Sequence, residues 1–462
     1  MTERKFLRIF KKHNQHHILD HYKNLSPQKQ NTFLQGLEGL DFDLIFALHK
    51  DFCHKQTLSR ITQDIRPASI ITIPTSSEEK AFKEKARTIG ESLIRKEKIA
   101  ALIVAGGQGS RLGFEGPKGT FPITPVEKKT LFQLFSESLQ AMSMRYHTTI
   151  PLLIMTSIEN HQDTLNFFES HNFFGFDRDS IHFFQQGMLP SITPDSKLLL
   201  RDETNLFMNP DGHGGSLKAL YDSGLLTYLI EKGVSELFYC QIDNPLVRIA
   251  DPVFLGYHIM MNADISTKVV RRINIKEKVG VYVSVNGRDT IIEYSDLSPE
   301  KMSALDDHGD ILYWAGNTAI HVLGLPFIRR LTQRGFALLY HCAEKSVQAI
   351  GPNGKLTKTQ CWKFETFVFD AISLTEKTCC MEVARNEEFS PVKNREGADS
   401  PETASRAMNN LYRGWLEETG MAIPPDTQIE ISPLFALDKE ELVSKLKGSR
   451  LDIEGDVYLE EK

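Results

Sequence analysis

Residues 101–120 read ALIVAGGQGSRLGFEGPKGT, and the order of chemistry along them sets the fold class. An apolar run closed by glycines suits a strand buried on both faces of a parallel sheet. The glycines that follow let backbone N–H groups approach an anion, because no Cβ stands in the way. Arg111 and, seven residues on, Lys118 then place two cations just past the turn, which points to a polyphosphate rather than a single carboxylate. The bland alternative is an ordinary strand-to-loop connection.

The spacing argues against two commoner phosphate loops. A P-loop requires four residues between its glycines and then Gly-Lys-Ser/Thr, a pattern this chain lacks. Gly107, Gly109 and Gly113 give Gly-x-Gly-x-x-x-Gly, one residue longer than the dinucleotide fingerprint. Pro117, Pro122 and Pro125 keep the next stretch irregular, so the loop continues past the turn and can wrap a ligand.

Upstream, residues 1–98 read as helical. Ser76 with Glu79 has the capping-box pattern, and Phe82, Ala86, Ile89 and Leu93 recur at helical spacing. A helix over 79–98 is therefore expected to lead into a strand at 99–105, with a further helical layer around Phe33–Leu48. Downstream, short strand-like runs (Leu152–Thr156, Ile181–Phe184, Leu237–Ile242) alternate with helical patterns near 160–171 and 214–232. Such alternation predicts an α/β fold with a mixed, mainly parallel sheet. Asn286-Gly287, flanked by Val279–Val285 and Thr290–Tyr294, signals a hairpin, expected to add an antiparallel piece over one end of the sheet. The expected division is a helical N-terminal region (1–98), an α/β domain (99–395) and a small C-terminal domain (396–462).

The 462 residues carry a formal net charge of −6, with 41% hydrophobic and 25% charged residues. That balance fits a globular protein and gives no general nucleic-acid surface, so any anion must be held by local cations. Six cysteines form no Cys-x-x-Cys pair and read as reduced thiols, the adjacent Cys379 and Cys380 as incidental. The basic N-terminus lacks the apolar core of a signal peptide, and no run approaches the length of a membrane span. A cytoplasmic protein with no membrane or nucleic-acid partner is expected.

Ligands of open parallel sheets lie beyond the carboxyl ends of the strands. Asp243 follows such a run and could ligate Mg²⁺ carried on phosphate oxygens; it could also be a capping aspartate. ProAspGlyHisGlyGly (210–215) could set a backbone edge against a flat base, or simply form a tight turn opening a helix. Gly316-Asn317, after the strand-like IleLeuTyrTrpAla, offers an amide for sugar hydroxyls or an acetamido group, or a turn residue. Lys393, after a proline-stiffened turn, is a phosphate ligand only if the chain returns it to the pocket. Arg271 and Arg272 read as structural.

The chain resembles the eukaryotic-type UDP-sugar pyrophosphorylases, most of all those acting on N-acetylhexosamines. The matches run from about 100 to 415: AlaGlyGlyGlnGlySerArgLeuGly with ProLysGly, IleMetThrSer (154–157), PhePheGlnGlnGly (183–187), ProAspGlyHisGlyGly, GlnIleAspAsnProLeuVal (241–247), LysValVal (268–270), GluTyrSer (293–295), PheValPheAsp (367–370) and PheSerProValLysAsn (389–394). The resemblance implies a Rossmann-like, GT-A-like nucleotidyltransferase fold with a helical N-terminal part and a small C-terminal domain. It implies that Gly106, Gly107, Gln186 and Gly212 line the uridine side, with His213 beside them where the family usually has asparagine. Arg111 and Lys118 would hold the triphosphate, Lys393 a phosphate, and Asp243 the Mg²⁺. Gly280, Glu293, Asn317, Phe367 and Phe369 would contact the sugar. The expected reaction joins UTP and a hexose 1-phosphate, either N-acetylglucosamine 1-phosphate or glucose 1-phosphate. A nucleotide-sugar sensor or scaffold with weak catalysis, motivated by His213, is the alternative.

Overall fold

The computed structural model describes residues 1–55, 64–350, 355–448, 453 and 455–461. The chain forms two compact units, each discontinuous in sequence. One comprises Met1–Gln63, Gln186–Lys218 and Ala337–Asp370; the other comprises Asp64–Gln185, Ala219–Phe336 and Ala371–Lys462.

The second unit is built on a ten-stranded sheet. Its strands are β1 (Ile65–Pro67), β2 (Ile99–Val104), β3 (Leu152–Thr156), β4 (Ile181–Gln185), β5 (Glu236–Gln241), β6 (Ile265–Arg271), β7 (Val281–Val285), β8 (Arg288–Ile292), β9 (Ala315–Gly324) and β10 (Thr378–Glu382). They run in the order β1-β7-β9-β5-β2-β3-β4, with β8 on β7 and β6 beside both β9 and β10. The centre, β5-β2-β3-β4, is parallel, with Val104 opposite Gln241 on one side and Met155 on the other. Residues 99–103 are all buried, as a strand covered on both faces requires. Ala404, Met408, Trp415 and Leu416 of the helix Pro401–Glu417, with Ile429 and Leu442, join the same buried cluster as these central strands.

Three local readings are corrected by packing. The helix Ser77–Arg95 has its capping box, but it buries Ala86, Gly90 and Ile94 and leaves Phe82 exposed. It crosses the helix Pro252–Met260 so closely that a Cβ on Gly90 would lie 1.8 Å from the Pro252 carbonyl oxygen. Its inner face is therefore marked by small residues, which apolar periodicity underweights. The stretch 214–232 is two helices, Gly215–Asp222 and Leu225–Glu231, broken at Gly224 with φ 81°. Gly316 and Asn317 lie inside β9, whereas Ile311–Trp314 precede it, with one isolated bridge, Ile311 opposite Leu305, and Tyr313 buried.

The hairpin turn is left-handed at Asn286 and Gly287 (φ 51° and 80°), matching the twist of its flanking strands. It adds the expected antiparallel piece at one end of the sheet, joined through Gly316 opposite Val281.

The first unit gathers four N-terminal helices, Glu3–Lys12, His16–Lys23, Pro27–Gly36 and Phe42–Lys55, with a long hairpin of Tyr340–Ile350 and Leu356–Thr366. Phe6, Phe10, Ile18, Phe33 and Phe42 share one core with Ile192, Leu198, Leu200, Trp362 and Phe364. Polar groups fix the same packing. Gln15 is fully buried, donates to the Ser196 carbonyl (2.7 Å) and accepts from Leu198 N (2.9 Å). His17 reaches the Leu198 carbonyl and His49 the Pro194 carbonyl. The N-terminal helices are thus the base on which the segments 186–218 and 337–370 are folded.

Candidate active site

β2 and β5 end side by side, so the residues that follow them emerge at the same sheet edge. Ile242 N bonds the Val104 carbonyl (3.1 Å) and extends this pairing to the threshold of Asp243. The loop after β2 is closed on itself: Gly109 N bonds Gly116 O (2.9 Å), and Lys118 N bonds Gly107 O (3.0 Å). Two short 3₁₀ turns, Ser110–Leu112 and Lys118–Thr120, complete it, in keeping with the irregular stretch expected after the glycines. Gly106 and Gly107 sit at its start, and a Cβ on Gly107 would meet nothing within 4 Å.

Four predicted charged residues gather here. Lys118 Nζ lies 3.8 Å from Asp243 Oδ2, both side chains mostly buried, while Arg111 and Lys393 are exposed. Burial pushes the Lys118 ammonium below its usual range; Asp243 opposes that shift, while Lys393 and Arg111 add to it. Like charges crowded around a half-desolvated lysine form a site that an anion would relieve. Lys393 is returned to this edge by backbone: Val392 N bonds the Asp243 carbonyl (2.8 Å), and Lys393 N bonds that of Asp399 (2.7 Å).

Gly280, Glu293 and Asn317 are also brought together. Asn317 N bonds Gly280 O (2.8 Å), and a Cβ on Gly280 would lie 3.2 Å from Glu293 Oε1. A register shift in β9 between Asn317 and His321 lifts this part of the strand, with Ala319 at φ 58° and its N–H on Asn317 Oδ1 (3.0 Å).

The remaining predicted residues belong to the first unit. Gly212 has φ 87°, and a Cβ there would lie 2.3 Å from the Thr366 carbonyl oxygen. Thr366 N in turn bonds Asp211 O (2.8 Å), and Gly214 N bonds Thr366 O (2.9 Å). The glycines of 210–215 thus admit the strand Leu356–Thr366 itself. His213 stacks on Phe367 (ring centroids 5.2 Å apart), which stacks on Phe369 (5.1 Å). Val368 N donates to His213 Nδ1 (3.3 Å). Gln186 is buried at the start of the segment, next to Gly187, whose carbonyl accepts from Asp211 N (3.1 Å).

Known proteins resemble this chain over most of its length. The sequence model described as UTP–glucose-1-phosphate uridylyltransferase matches residues 46–447. The chain belongs to this uridylyltransferase family. The UDP-N-acetylglucosamine pyrophosphorylase of Saccharomyces cerevisiae is 33% identical over 475 residues, covering 98% of this chain and 99% of that protein. UDP-N-acetylglucosamine diphosphorylase 2 of Arabidopsis thaliana is 34% identical over 462 residues, covering 95% and 90%. The crystal structure of the uridine diphosphate N-acetylglucosamine pyrophosphorylase from Trypanosoma brucei, in complex with inhibitor, superposes with a TM-score of 0.84 at 26% identity, covering 96% of this chain and 95% of that one.

Two buried asparagines that spacing alone did not single out tie the loops at this sheet edge. Asn160, fully buried, donates to the carbonyls of Ala105 (2.9 Å) and Gly107 (3.3 Å) and accepts from Ser157 N (2.8 Å), so it holds the start of the glycine loop. Its only sequence signal is its own place immediately before the helix His161–Ser170, where asparagine is a common cap. Asn244, next in sequence to Asp243, is buried, donates to Glu388 O (2.7 Å) and accepts from Ser390 N (3.0 Å). Arg271 pairs with Glu382 (2.8 Å), and Arg272 donates to the Tyr313 carbonyl, the structural roles expected of them.

Proposed function

We propose that this chain joins UTP and N-acetylglucosamine 1-phosphate, giving the UDP-sugar and pyrophosphate. The observation that carries the reading is the single electrostatic cluster of Lys118, Asp243, Lys393 and Arg111 at the ends of adjacent parallel strands. The choice of N-acetylglucosamine over glucose rests on the names of the full-length relatives. An oxygen of the sugar phosphate attacks the α-phosphorus in line; a new P–O bond forms as the bond to pyrophosphate breaks. The nucleophile is already ionised, so no general base is needed, and catalysis rests on alignment and charge neutralisation. Arg111 neutralises the departing pyrophosphate, and Lys118 and Lys393 the reacting phosphates. Gly106, Gly107, Gln186, Gly212 and His213 are assigned to the nucleotide, and Gly280, Glu293, Asn317, Phe367 and Phe369 to the sugar.

Mg²⁺ fits the donor set when it arrives on the nucleotide. One carboxylate, Asp243, stands at the strand end with its nearest cation at salt-bridge rather than hydrogen-bond range. Mg²⁺ on nucleotides typically takes one or two protein carboxylates beside phosphate and water oxygens. When bound it would supply charge neutralisation, and Asp243 would hold it. The cytoplasm is the proposed location, supported by six cysteines that form no disulfide. Among the described residues no helix is long and apolar enough to cross a membrane.

Pyrophosphate release, measured for UTP and other nucleotides against N-acetylglucosamine, N-acetylgalactosamine and glucose 1-phosphates, tests the reading. Turnover is expected with UTP and highest with N-acetylglucosamine 1-phosphate. Folded protein that turns over no pair, yet binds UDP-sugar, would overturn it in favour of a sensor.

A further inference from the structure

Lys268 sits at the middle of β6, and its side chain is wholly buried. Its ammonium donates to Asp251 Oδ2 (2.7 Å) and Glu388 Oε2 (2.5 Å), both carboxylates themselves buried. Burial alone would pull this lysine's pKa down, but Asp251 and Glu388 raise it past the ordinary value, so the group is a charged ammonium. The ring of Phe254 closes another side, 5.3 Å from Nζ.

A buried ion cluster is a poor source of net stability, since well-packed apolar groups of similar volume serve as well or better. What this cluster joins is more informative. Asp251 lies eight residues after Asp243, and Glu388 five residues before Lys393. The same two segments are also tied by Asn244, which donates to Glu388 O (2.7 Å) and accepts from Ser390 N (3.0 Å), and by Val392 N on Asp243 O (2.8 Å). Between the one-turn helix Arg385–Glu388 and the helix Pro401–Glu417 the chain is irregular, so it has no ladder of its own to hold Lys393 in place. The backbone carbonyl of Lys268 also accepts from Thr318 Oγ1 (2.7 Å), beside Asn317.

We propose that Lys268, Glu388 and Asn244 form a positioning clamp that sets Lys393 against Asp243, and that it acts on the reaction only through Lys393. All three are buried. The proposal rests on the uridylyltransfer reading and adds to it a group of positioning residues. A misplacement of about 1 Å at a reacting group costs on the order of 100-fold in rate. Release of one tie should therefore appear in kcat while nucleotide affinity at the glycine loop is kept.

The test is a double-mutant cycle on kcat with UTP and N-acetylglucosamine 1-phosphate. Asn244→Ala is expected to lower kcat by about 10- to 100-fold, with KM for UTP within about threefold. In a Lys393→Ala background the same change should cost less than about threefold, because the group being positioned is gone. Glu388→Gln, which keeps the backbone bond to Asn244, is the second variant and should show the same non-additivity. Melting temperatures are read alongside, so a variant that fails to fold is recognised and the cycle is closed with the other. Penalties that multiply in the Lys393→Ala background would overturn the clamp and make these residues merely structural. If the unmodified protein turns over no substrate pair, the uridylyltransfer reading fails first and takes the clamp with it.

Discussion

The glycine loop of the second unit and the glycine loop of the first look alike in sequence and do different work. The loop 106–118 is open at Gly107, where a Cβ would touch nothing, though Gly109 packs on Phe114, and the charged groups Arg111, Lys118, Asp243 and Lys393 gather beside it. Residues 210–215 enclose protein: Gly212 lies against the Thr366 backbone, and Gly214 against Phe367. The first loop leaves room at Gly107 for the proposed nucleotide, whereas the second gives its missing side chains to chain packing beside the stack of His213, Phe367 and Phe369.

The largest expected effect follows from that contrast. Lys118→Ala should lower kcat by about 100- to 1,000-fold, the scale of one lost charge-stabilising group in a desolvated site. Its melting temperature should stay within a few degrees, because burial already disfavours this ammonium and two neighbouring cations oppose it. The shifted pKa also sets a sign. Nucleotide binding needs the charged form, so kcat/KM for UTP should fall on the alkaline side before an ordinary lysine would titrate, and Lys118→Arg should move that limb upward. A Lys118→Ala variant that unfolds instead would make the loop a packing element like its counterpart.

Next come the two glycines themselves. Gly212→Ala imposes a side chain at φ 87° and 2.3 Å from a carbonyl oxygen, so it should destabilise the fold by about 1–3 kcal/mol or more, read by denaturant titration. Gly107→Ala should leave stability within about 0.5 kcal/mol and raise KM for UTP. Equal losses of stability in both variants would erase the distinction between the loops.

The phosphate half was legible for a physical reason: its chemistry is local. Charges follow apolar strands in order, and the parallel centre of the sheet brings strand ends to one edge whatever the loops do. Strands β2, β3, β4 and β5 accordingly fall within a residue or so of where their apolar runs predict. What could not be read is what depends on chain segments far apart. Asn160 and Asn244 act through hydrogen bonds to backbone remote in sequence, and nothing in their neighbourhoods marks the partner. The residues of 1–55 carried no chemical cue because their role is to be a core for 186–218 and 337–370. Ile311–Trp314 read as a strand and is not one, since burial needs apolar residues with or without a ladder.

A smaller effect is expected at His213. His213 is assigned to the nucleotide, and because Val368 N–H already donates to its Nδ1, a hydrogen bond from this ring to a uracil carbonyl would come from Nε2. His213→Ala should reduce the preference of kcat/KM for UTP over CTP by about tenfold, the worth of one lost hydrogen bond. A shift in the preference among sugar 1-phosphates, with UTP over CTP unchanged, would reassign His213 to the sugar, where its stacking partners Phe367 and Phe369 have been placed.

The smallest effect lies away from both loops, at the start of the helix Ser77–Arg95, and it measures how well the second unit insulates its site. The N–H groups of Ser76 and Thr75 hold the Glu79 carboxyl down to about 2, against an ordinary 4.5. A carboxyl depressed in the fold contributes stability that is complete above its unfolded pKa and is lost as pH falls through the folded one. Amide exchange at Thr75 and Ser76 should therefore quicken as pH is lowered from about 4.5 towards 2, beyond the intrinsic trend, and Glu79→Ala should abolish the extra dependence. The residues that pack this helix, Ala86, Gly90 and Ile94, lie about two or more turns further on. Loosening should thus stop within the first turn, and protection at Gly107 and Lys118 should not change in step with it. Exchange at the glycine loop that did track Glu79 would mean the open loop borrows its shape from the helix, and that the two glycine loops differ less than their surroundings indicate.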